Sequence, residues 1–417
     1  MAAARAARVV ITHDFMETYG GAERVTEEIA KAFPQAPVYA LLGRDEIAER
    51  MGVADRFESL LPQRAWLFRG YRLLAPFYAP WADRVRLPDA DVVVASSYAY
   101  AHRLRSSNEH APIVCYCHSP LRFAWSMTAS YRERWAPDGL RARAFEALAA
   151  TTRRSDRRAA RKIVSYLTQS PFTAEQIEGF YGRKVAVIGA PVDCDKFVPS
   201  SRSAGDFFLL VARLVEPYKR VGVAVEAFRR LGLPLKVAGT GPAFDELSAA
   251  APANVEFLGH LADDELVPLM QTCQAAIFPS RDDFGLVPLE VMACGRPVLA
   301  YAGGGARYTV APGVTGELFA EQTADSVEAA VRAFDPDAYE PRTIREHALL
   351  WDKRRFRERL VEAVAVALDG EPIGDRRVED DRRRADRRRG APAAGGRGRR
   401  ERRRQDRRFL IRRWRER

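Results

Sequence analysis

The chain has 417 residues, of which 47% are hydrophobic, and its formal net charge is +11. Residues 371–417 contain 20 Arg and 9 acidic residues, a balance of +11, so residues 1–370 are formally neutral. The length is sufficient for two domains of about 100–200 residues plus a tail, and the neutral body argues against nucleic acid as the main ligand.

The cysteines and the amino-terminal sequence bear on the compartment. The five cysteines are odd in number and scattered, and they suggest neither a disulfide framework nor a four-ligand zinc site. The start, MAAARAARVVITHDF, has too short an apolar run for a secretory signal, and no stretch reaches the ~20 apolar residues of a membrane-spanning helix. We therefore predict a cytoplasmic protein whose contact with membranes is peripheral.

The first predicted strand, Val9–Thr12, ends at His13 and Asp14 and leads into a helix through the glycine pair Gly20 and Gly21. Glycines allow the backbone to come close to a ligand at a strand-to-helix turn, which is where doubly wound sheets bind their ligands. On these residues alone, a plain tight turn is the competing interpretation.

A second candidate site follows a buried strand predicted at Ile113–Cys117. The strand ends at His118, in the sequence CHSPLRFAW. A histidine at the carboxyl end of such a strand lies where this class of sheet places its chemistry. A structural histidine is the competing interpretation.

The second half begins after a polar linker with a strand predicted at Phe207–Ala212. Arg213 and Lys219 follow at its exit, just before a helix, and two cations at this spacing can neutralise a diphosphate. Solvated surface charges are the alternative. A strand predicted at Leu235–Ala238 ends in another glycine loop, which contains Gly241.

The most informative stretch is FPSRDDFGLVPLEVMACGRPV, at residues 278–298. It predicts a strand, a loop and a helix, and the start of a helix offers unpaired backbone N–H groups and the positive end of a dipole. Phe284, Gly285 and Leu286 are therefore suited to holding a phosphate. Asp282 and Glu290 flank this anion site, and their carboxylates can accept hydrogen bonds from hydroxyl groups. An ordinary loop acid and helix acid are the alternative.

This stretch closely resembles the donor-site motif of the family 4 retaining glycosyltransferases, in which two Glu separated by seven residues surround a Phe-Gly pair. Asp282 stands where that family usually has the first Glu, and Tyr308 stands where relatives usually have another Glu, after the cluster Gly303–Gly305. The segments HDF, YGGAER and CHSPLRFAW are similar to those of bacterial mannosyltransferases of surface polysaccharide assembly.

The resemblance implies an α/β protein of the GT-B class, with two Rossmann-like domains that face each other across a cleft. Residues 1–197 would form the acceptor-side domain, and residues 198–348 the nucleotide-sugar-binding domain. A helix at residues 349–370 would cross back to the first domain. Residues 371–417 are rich in arginine and poor in apolar residues, and they are predicted to be a disordered basic tail.

The resemblance also implies roles for the second-half residues. Arg213 and Lys219 would clamp the diphosphate together with the helix start at Phe284, Gly285 and Leu286. Glu290 would hold the ribose hydroxyls, and Asp282 would orient the sugar ring.

In the first half, His118 would lie on the other side of the transferred sugar. The loop of Gly20 and Gly21 would face the donor phosphates, and Gly241 would belong to the substrate site of the second half.

The implied activity is transfer of mannose from GDP-mannose to a lipid-linked oligosaccharide, with no cofactor and no metal. The basic tail would hold the protein on the anionic inner face of the cytoplasmic membrane, and nucleic acid is not expected as a partner. A retaining transferase that uses a UDP-sugar and a non-catalytic sugar-nucleotide-binding protein are the alternatives. The sequence leaves the acceptor, the linkage, the pathway, the oligomeric state and the role of the tail open.

Overall fold

The protein is described by a computed structural model over residues 2–136, 138–201 and 203–370. The tail predicted at 371–417 lies outside the described residues. The described chain divides into two compact units, one formed by Met1–Pro191 with the chain from Arg354 onward, the other by Val192–Lys353.

The first unit is built on a parallel sheet of seven strands in the order β3-β2-β1-β5-β7-β8-β9. Two further short strands, β4 and β6, pair with each other in parallel. The strands are β1 (Val9–Met16), β2 (Val38–Gly43), β3 (Phe57–Ser59), β4 (Arg86–Leu87), β5 (Val92–Ser97), β6 (Arg105–Ser106), β7 (Ile113–Cys117), β8 (Ser165–Thr168) and β9 (Val185–Val187).

The first unit also contains α-helices, which in the described residues before the boundary are α1 (Ala2–Ala6), α2 (Gly21–Ala32), α3 (Asp45–Arg50), α4 (Ala65–Gly70), α5 (Ala75–Ala82), α6 (Thr128–Trp135), α7 (Gly139–Ala160) and α8 (Pro171–Tyr181). The helix α8 begins with Ser170 as its cap, because the Ser170 hydroxyl accepts the N–H of Thr173 at 3.2 Å.

The central strands of this sheet are buried along their whole length. Every residue of β1, β2, β5 and β7 is buried, which is typical of parallel strands covered on both faces. Ile11, Leu41, Val94 and Val114 are less than 1% exposed. Polar side chains inside these strands must therefore find partners within the protein.

The second unit has a parallel sheet of six strands in the order β12-β11-β10-β13-β14-β15. The strands are β10 (Phe208–Val211), β11 (Leu235–Ala238), β12 (Val255–Gly259), β13 (Ala276–Phe278), β14 (Val298–Tyr301) and β15 (Gly316–Phe319). The helices are α9 (Val221–Leu231), α10 (Phe244–Ala249), α11 (Asp263–Thr272), α12 (Leu286–Ala293), α13 (Ala306–Thr309), α14 (Ala324–Ala333) and α15 (Pro341–Ala348). Phe208, Phe228 and Val237 belong to its core.

The last helix, α16 (Lys353–Leu368), packs in the first unit from Arg354 onward. The Phe356 ring lies 5.5 Å from that of Tyr116, and Arg357 donates to Glu28 at 2.5 Å. The sequence pattern predicts one long helix from Leu349, whereas the structure has a short 3-10 turn at Leu349–Trp351 before α16.

The sequence predicts the domain boundary at residue 197, and the structure groups residues 192–197 with the second unit. The backbone explains this grouping, because the N–H of Val192 donates to the carbonyl of Trp351 at 2.9 Å. The Lys353 ammonium also lies 2.6 Å from the carboxylate of Asp193.

The first strand is longer than the sequence pattern predicts. The strand was expected to end before His13, but β1 continues to Met16, so His13 and Asp14 lie inside the sheet. Both are buried at 0% exposure. Neighbouring strands and loops nevertheless provide hydrogen-bond partners for both side chains. The strand can therefore continue through these two residues.

Two further observations concern membranes and cysteines. Within residues 2–136, 138–201 and 203–370, the helices are too short or too polar to cross a bilayer. The five cysteines are free and buried.

Candidate functional site

In the second unit, the loop between β13 and α12 presents the start of a helix. Gly285 caps α12 with φ +87, a backbone conformation that favours glycine, and no side chain of the described residues caps the helix. The first N–H groups of a helix have no partner inside it. The amides of Leu286 and Val287 therefore have no partner within the helix, and their binding of an anion stays a prediction.

A lysine and an acid meet directly beside this helix start. The Lys219 ammonium lies 2.6 Å from Oδ2 of Asp282, and the two side chains are 17% and 19% exposed. The other carboxylate oxygen of Asp282 is buried and has no hydrogen-bond partner in the described part of the chain. The structure thus brings together Lys219 and Asp282, two predicted site residues that are 63 positions apart in sequence. Asp282 lies three residues before Gly285.

The glycine cluster Gly303–Gly305 packs against the backbone of the loop that carries Asp282. The N–H of Gly305 donates to the carbonyl of Asp282 at 2.8 Å. A Cβ atom at Gly304 would overlap the carbonyl oxygen of Asp282, and one at Gly305 would overlap the backbone of Phe284. Glycine is therefore required here because two loops touch backbone to backbone.

Gly241 has a similar packing role beside the Arg213 loop. A Cβ atom at Gly241 would overlap the backbone of Leu214, and the N–H of Leu214 donates to the carbonyl of Thr240 at 2.9 Å. Gly241 therefore fixes the loop that carries Arg213. The Arg213 side chain is exposed and forms no hydrogen bond or ion pair with the residues that the structure describes, so it is not drawn into the Lys219–Asp282 contact.

Glu290 lies on α12 and is 5% exposed. Phe284 is buried as well, whereas Leu286 is only partly buried. The helix therefore places the Glu290 carboxyl within the unit, one helical turn after the available amides of its amino end.

In the first unit, His118 directly follows β7 and is partly buried. Its Nε2 atom lies 2.8 Å from the hydroxyl of Ser96 on the neighbouring strand β5. Burial, with smaller contributions from the charges of His13 and Arg122, lowers the pKa of His118 to about 3. His118 is therefore neutral at physiological pH.

The predicted glycine loop lies at the start of α2. Gly20 is the cap residue and Gly21 the first helical residue, and the Gly20 N–H donates to the carboxylate of Glu23 at 2.9 Å. Glu23 in turn lies 3.4 Å from Nε2 of His13, and Nδ1 of His13 lies 3.1 Å from the Ser96 hydroxyl. The structure thus links the glycine loop to His118 through buried side chains.

The sequence analysis did not assign a role to Asp14, which organises the loop after β5. Its carboxylate accepts four backbone N–H groups at 2.5–2.8 Å, from Tyr98, Ala99, Tyr100 and Ala101. The Asp14 carboxylate thus satisfies successive backbone N–H groups, as a capping side chain does at the start of a helix. The HD pair at the end of an apolar strand, followed by SS at the end of the next, is the signal that could have revealed it.

Asp156, on α7, is a second buried acid that the sequence analysis assigned no chemistry. Its carboxylate accepts hydrogen bonds from Trp125 at 2.9 Å and Tyr181 at 2.6 Å, and it lies 3.3 Å from His102 and 3.6 Å from Arg103. Burial by itself raises the pKa of Asp156, but these donors and charges outweigh it and hold that pKa below its ordinary value. The cluster fixes α7 to the loop after β5.

A cavity of about 270 Å³ lies away from His118. It is lined by Arg86, Arg105 and Lys162, and by Ile113, the first residue of β7. His118 follows the last residue of the same strand. This cavity is therefore at the amino ends of the strands and is not part of the candidate site.

Comparison with known proteins identifies the chain. Residues 19–196 match the family model described as Glycosyltransferase Family 4, and residues 194–349 match the model described as Glycosyl transferases group 1. The chain belongs to glycosyltransferase family 4. The predicted membership is confirmed.

Two curated relatives of this family 4 chain illustrate the range of similarity. D-inositol 3-phosphate glycosyltransferase from Mycobacterium avium is 34% identical over 37% of this chain and 42% of its own length. The serotype-specific mannosyltransferase WbdA from Escherichia coli is 26% identical over 38% of this chain and 21% of its own. The chain spans less than half the length of the curated relatives that it matches.

Among solved structures, Anabaena HepE in complex with UDP-glucose matches this family 4 chain with a TM-score of 0.63. The two sequences are 18% identical, and the match covers 86% of this chain and 99% of HepE. The predicted fold class, α/β with two Rossmann-like domains of the GT-B type, is confirmed.

Proposed function

We propose that this chain is a retaining glycosyltransferase that transfers a hexose from a nucleotide diphosphate sugar. Family membership supports the reaction class. The observation that carries the proposal is the 2.6 Å contact of Lys219 with Asp282 beside the uncapped start of α12. This arrangement brings a cation from the loop after β10 to the loop after β13, which carries the free amides and a hydroxyl acceptor.

In this proposal, positive groups stabilise the departing diphosphate. Lys219, Arg213 and the amides of Leu286 and Val287 supply the charge and the hydrogen bonds. Fixed donors aimed at developing negative charge are usually the largest single contribution to catalysis. The basic pair would take the role that a metal ion has in other transferases, so we propose no resident metal or cofactor.

The acidic residues hold the carbohydrate. Asp282 has one oxygen on Lys219 and a second that no described residue occupies, so the second oxygen can accept a sugar hydroxyl. Glu290 would accept the ribose hydroxyls. In the first unit, His118 and the Gly20 and Gly21 loop would contact the sugar and the donor phosphates.

The proposed donor is GDP-mannose. Its support is the resemblance of the HDF, YGGAER and CHSPLRFAW segments to polysaccharide mannosyltransferases, together with the similarity to a protein named as a mannosyltransferase. A UDP-sugar is the second candidate, favoured by the fold match to a protein solved with UDP-glucose.

The proposed acceptor is a lipid-linked oligosaccharide in surface polysaccharide biosynthesis. The 20 Arg of residues 371–417 would hold the protein on the anionic inner face of the cytoplasmic membrane, since each cation near such a surface contributes about 1 kcal/mol. Nucleic acid is not a proposed partner, because residues 1–370 carry no net charge.

The experiment that tests the donor is a thermal shift with a panel of nucleotide sugars, followed by hydrolysis and transfer assays. A ligand that binds only the native state raises the melting temperature. We expect the largest rise with GDP-mannose, and loss of that rise in Lys219→Ala. If no nucleotide sugar raises the melting temperature, the proposed reaction class is wrong.

A non-catalytic sugar-nucleotide-binding protein is a further candidate because Asp282 and Tyr308 depart from the family pattern. Such a protein would show the thermal shift with a nucleotide sugar but release no nucleotide diphosphate in the presence or absence of acceptor. If the parent chain hydrolyses the nucleotide sugar faster than the Lys219→Ala variant does, the protein is an enzyme and this alternative is wrong.

A further inference from the structure

A buried chain of polar side chains ends at His118. The exposed fractions of His13, Thr26 and Ser96 are 0%, and that of Glu23 is 6%. The hydroxyls of Thr26 and Ser96 lie 2.7 Å apart, and Nδ1 of His13 lies 3.0 Å from Thr26 and 3.1 Å from Ser96. His118 is the member that reaches the surface.

The number of hydrogens in this chain is limited. Four contacts each need one hydrogen: Thr26 with the carbonyl of Ala22 at 2.9 Å, the pair of hydroxyls, His13 Nδ1 with its hydroxyl partners, and Ser96 with Nε2 of His118 at 2.8 Å. Thr26 and Ser96 supply only one hydrogen each. The other two hydrogens must come from Nδ1 of His13 and from Nε2 of His118.

The contact with Ala22 fixes the direction of the others. The Ala22 carbonyl can only accept, so the Thr26 hydroxyl donates to it. The Ser96 hydroxyl must then supply the hydrogen between the two hydroxyls, and it has none left for His118.

We propose that Ser96, Thr26 and His13 are positioning residues that hold His118 as the tautomer with hydrogen on Nε2. The hydroxyl of Ser96 then accepts from His118 and donates to Thr26, whose own hydroxyl donates to Ala22, and His13 donates from Nδ1. This arrangement satisfies all four contacts. Nδ1 of His118 is left with a lone pair and forms no hydrogen bond to the residues that the structure describes.

This inference rests on the proposed function and adds the kind of group that His118 accepts. A bare imidazole nitrogen attracts a hydroxyl hydrogen and repels an anionic phosphate oxygen. The low pKa of His118, caused by burial and by the charges of His13 and Arg122, keeps the nitrogen unprotonated. The bound partner is therefore a hydroxyl of the transferred sugar or of the acceptor, and the diphosphate is bound elsewhere.

Nuclear magnetic resonance of the full chain labelled with 15N-histidine tests the tautomer without any turnover. The chain has six histidines, and His118→Asn and His13→Asn variants assign the two signals. We expect at pH 7 a hydrogen on Nε2 of His118 and none on its Nδ1, and a hydrogen on Nδ1 of His13. A His118 ring with hydrogen on Nδ1, or a His13 ring with none on Nδ1, would overturn the proposal. This measurement tests the His118 tautomer even if the protein transfers no sugar, so its failure can be told apart from failure of the proposed function.

The role of Ser96 is tested by Ser96→Ala, with Ser96→Thr as the conservative variant that keeps the hydroxyl. We expect Ser96→Ala to populate both tautomers of His118 and to lower kcat/KM roughly two- to tenfold, the range of one neutral hydrogen bond. Ser96→Thr should restore both. Ser248→Ala is the matched control, because the Ser248 hydroxyl donates only to the carbonyl of Asp245 at 3.3 Å.

An unchanged His118 tautomer in folded Ser96→Ala would remove Ser96 from the positioning role. If Ser96→Ala does not fold, Thr26→Val takes its place, since it removes the hydroxyl to which Ser96 donates. The hydrogen of Ser96 is then free for Nε2 of His118, and we expect the Nδ1 tautomer of His118 to become populated. An unchanged His118 ring in folded Thr26→Val would contradict the hydrogen count.

Discussion

The pairing of Lys219 with Asp282 gives the first prediction at the scale of a single residue. Lys219→Ala removes a cation from the proposed diphosphate site, and we expect kcat/KM for nucleotide-sugar hydrolysis to fall roughly 10²–10³-fold. The melting temperature without ligand should also fall, because Asp282, only 19% exposed, is left without its cation.

Lys236→Ala is the matched control for this variant. Lys236 is in the same unit and lies 3.6 Å from Glu256, on the paired strands β11 and β12. Its removal should leave kcat/KM unchanged within twofold, on the order of the effect of an exposed ion pair. Equal losses in both lysine variants would show that general charge, and not the site, is responsible.

Asp156 gives a prediction of pH dependence. Its pKa in the folded protein lies below its ordinary value, which is about 3.9 in unfolded chains. The ionised carboxylate therefore stabilises the native state above that pH, and this contribution is lost as the pH falls through the folded pKa. Asp156→Asn should lower the free energy of unfolding by about 3–5 kcal/mol at pH 7, and by less near pH 2, as measured by urea denaturation.

The exposed Asp325 provides the comparison for Asp156. Its side chain is 85% exposed and pairs with Arg230. Asp325→Asn should leave the free energy of unfolding within about 0.5 kcal/mol of the parent at pH 7. A loss of stability in Asp156→Asn that does not shrink in acid would mean that packing, and not the carboxylate charge, is what the variant removes.

At the scale of residues, Lys219 and Asp282 can be predicted as site residues from the sequence, because they occupy positions of the family 4 motif. It did not reveal His13 and Ser96 as members of the network around His118, or Asp14 as the residue that organises the loop after β5. Polar residues at the end of an apolar strand look like the start of a loop. Only the pairing of β1 with β5 shows that their partners lie more than 80 residues away in the chain.

At the scale of elements, the glycine loop behind Asp282 gives a prediction with an internal control. Gly304 has φ +61 and Gly313 has φ +70, so alanine is strained at both. A Cβ atom would overlap the carbonyl of Asp282 at Gly304, but it has nothing within 4 Å at Gly313. Gly313→Ala should cost about 1 kcal/mol of unfolding free energy. Gly304→Ala should cost more.

Because it displaces the Asp282 loop, Gly304→Ala should also weaken nucleotide-sugar binding in the thermal shift assay, whereas Gly313→Ala should not. If both alanine variants lose the same stability and keep the same ligand response, the contact between the two loops does not hold the site.

The elements themselves were predicted with uneven success. Ile113–Cys117 and Leu235–Ala238 were placed with the correct bounds, because apolar runs end there at polar or glycine residues. The end of β1 was wrong by four residues, since His13 and Asp14 are buried by partners that local pattern cannot show. The 3-10 turn before α16 was likewise hidden within a continuous amphipathic pattern.

At the scale of the whole molecule, the basic carboxyl-terminal segment gives the last prediction. Removal of residues 371–417 takes away a net charge of +11. We expect the truncated chain to lose binding to vesicles that contain anionic lipid, while hydrolysis of the nucleotide sugar and transfer to a soluble acceptor are kept. Co-sedimentation at two salt concentrations measures this, since electrostatic binding weakens with ionic strength.

Neutral phosphatidylcholine vesicles serve as the control, and neither form should bind them. Equal sedimentation of the full and truncated chains with anionic vesicles would end the proposal for the tail. The fold class at this scale followed from the resemblance to family 4. The unit boundary did not, because Val192 joins the second unit through backbone hydrogen bonds with Trp351 and Lys353, which are distant in sequence.

In the proposed site, the lysine assigned to the diphosphate is already paired with the acid assigned to the sugar. A donor that bound in this way would have to draw Lys219 away from Asp282 before both carboxylate oxygens could accept hydrogen bonds. The diphosphate would then free the carboxylate that binds the sugar. Free hexose should bind poorly unless a nucleoside diphosphate is present, and each ligand should tighten the other to the same extent.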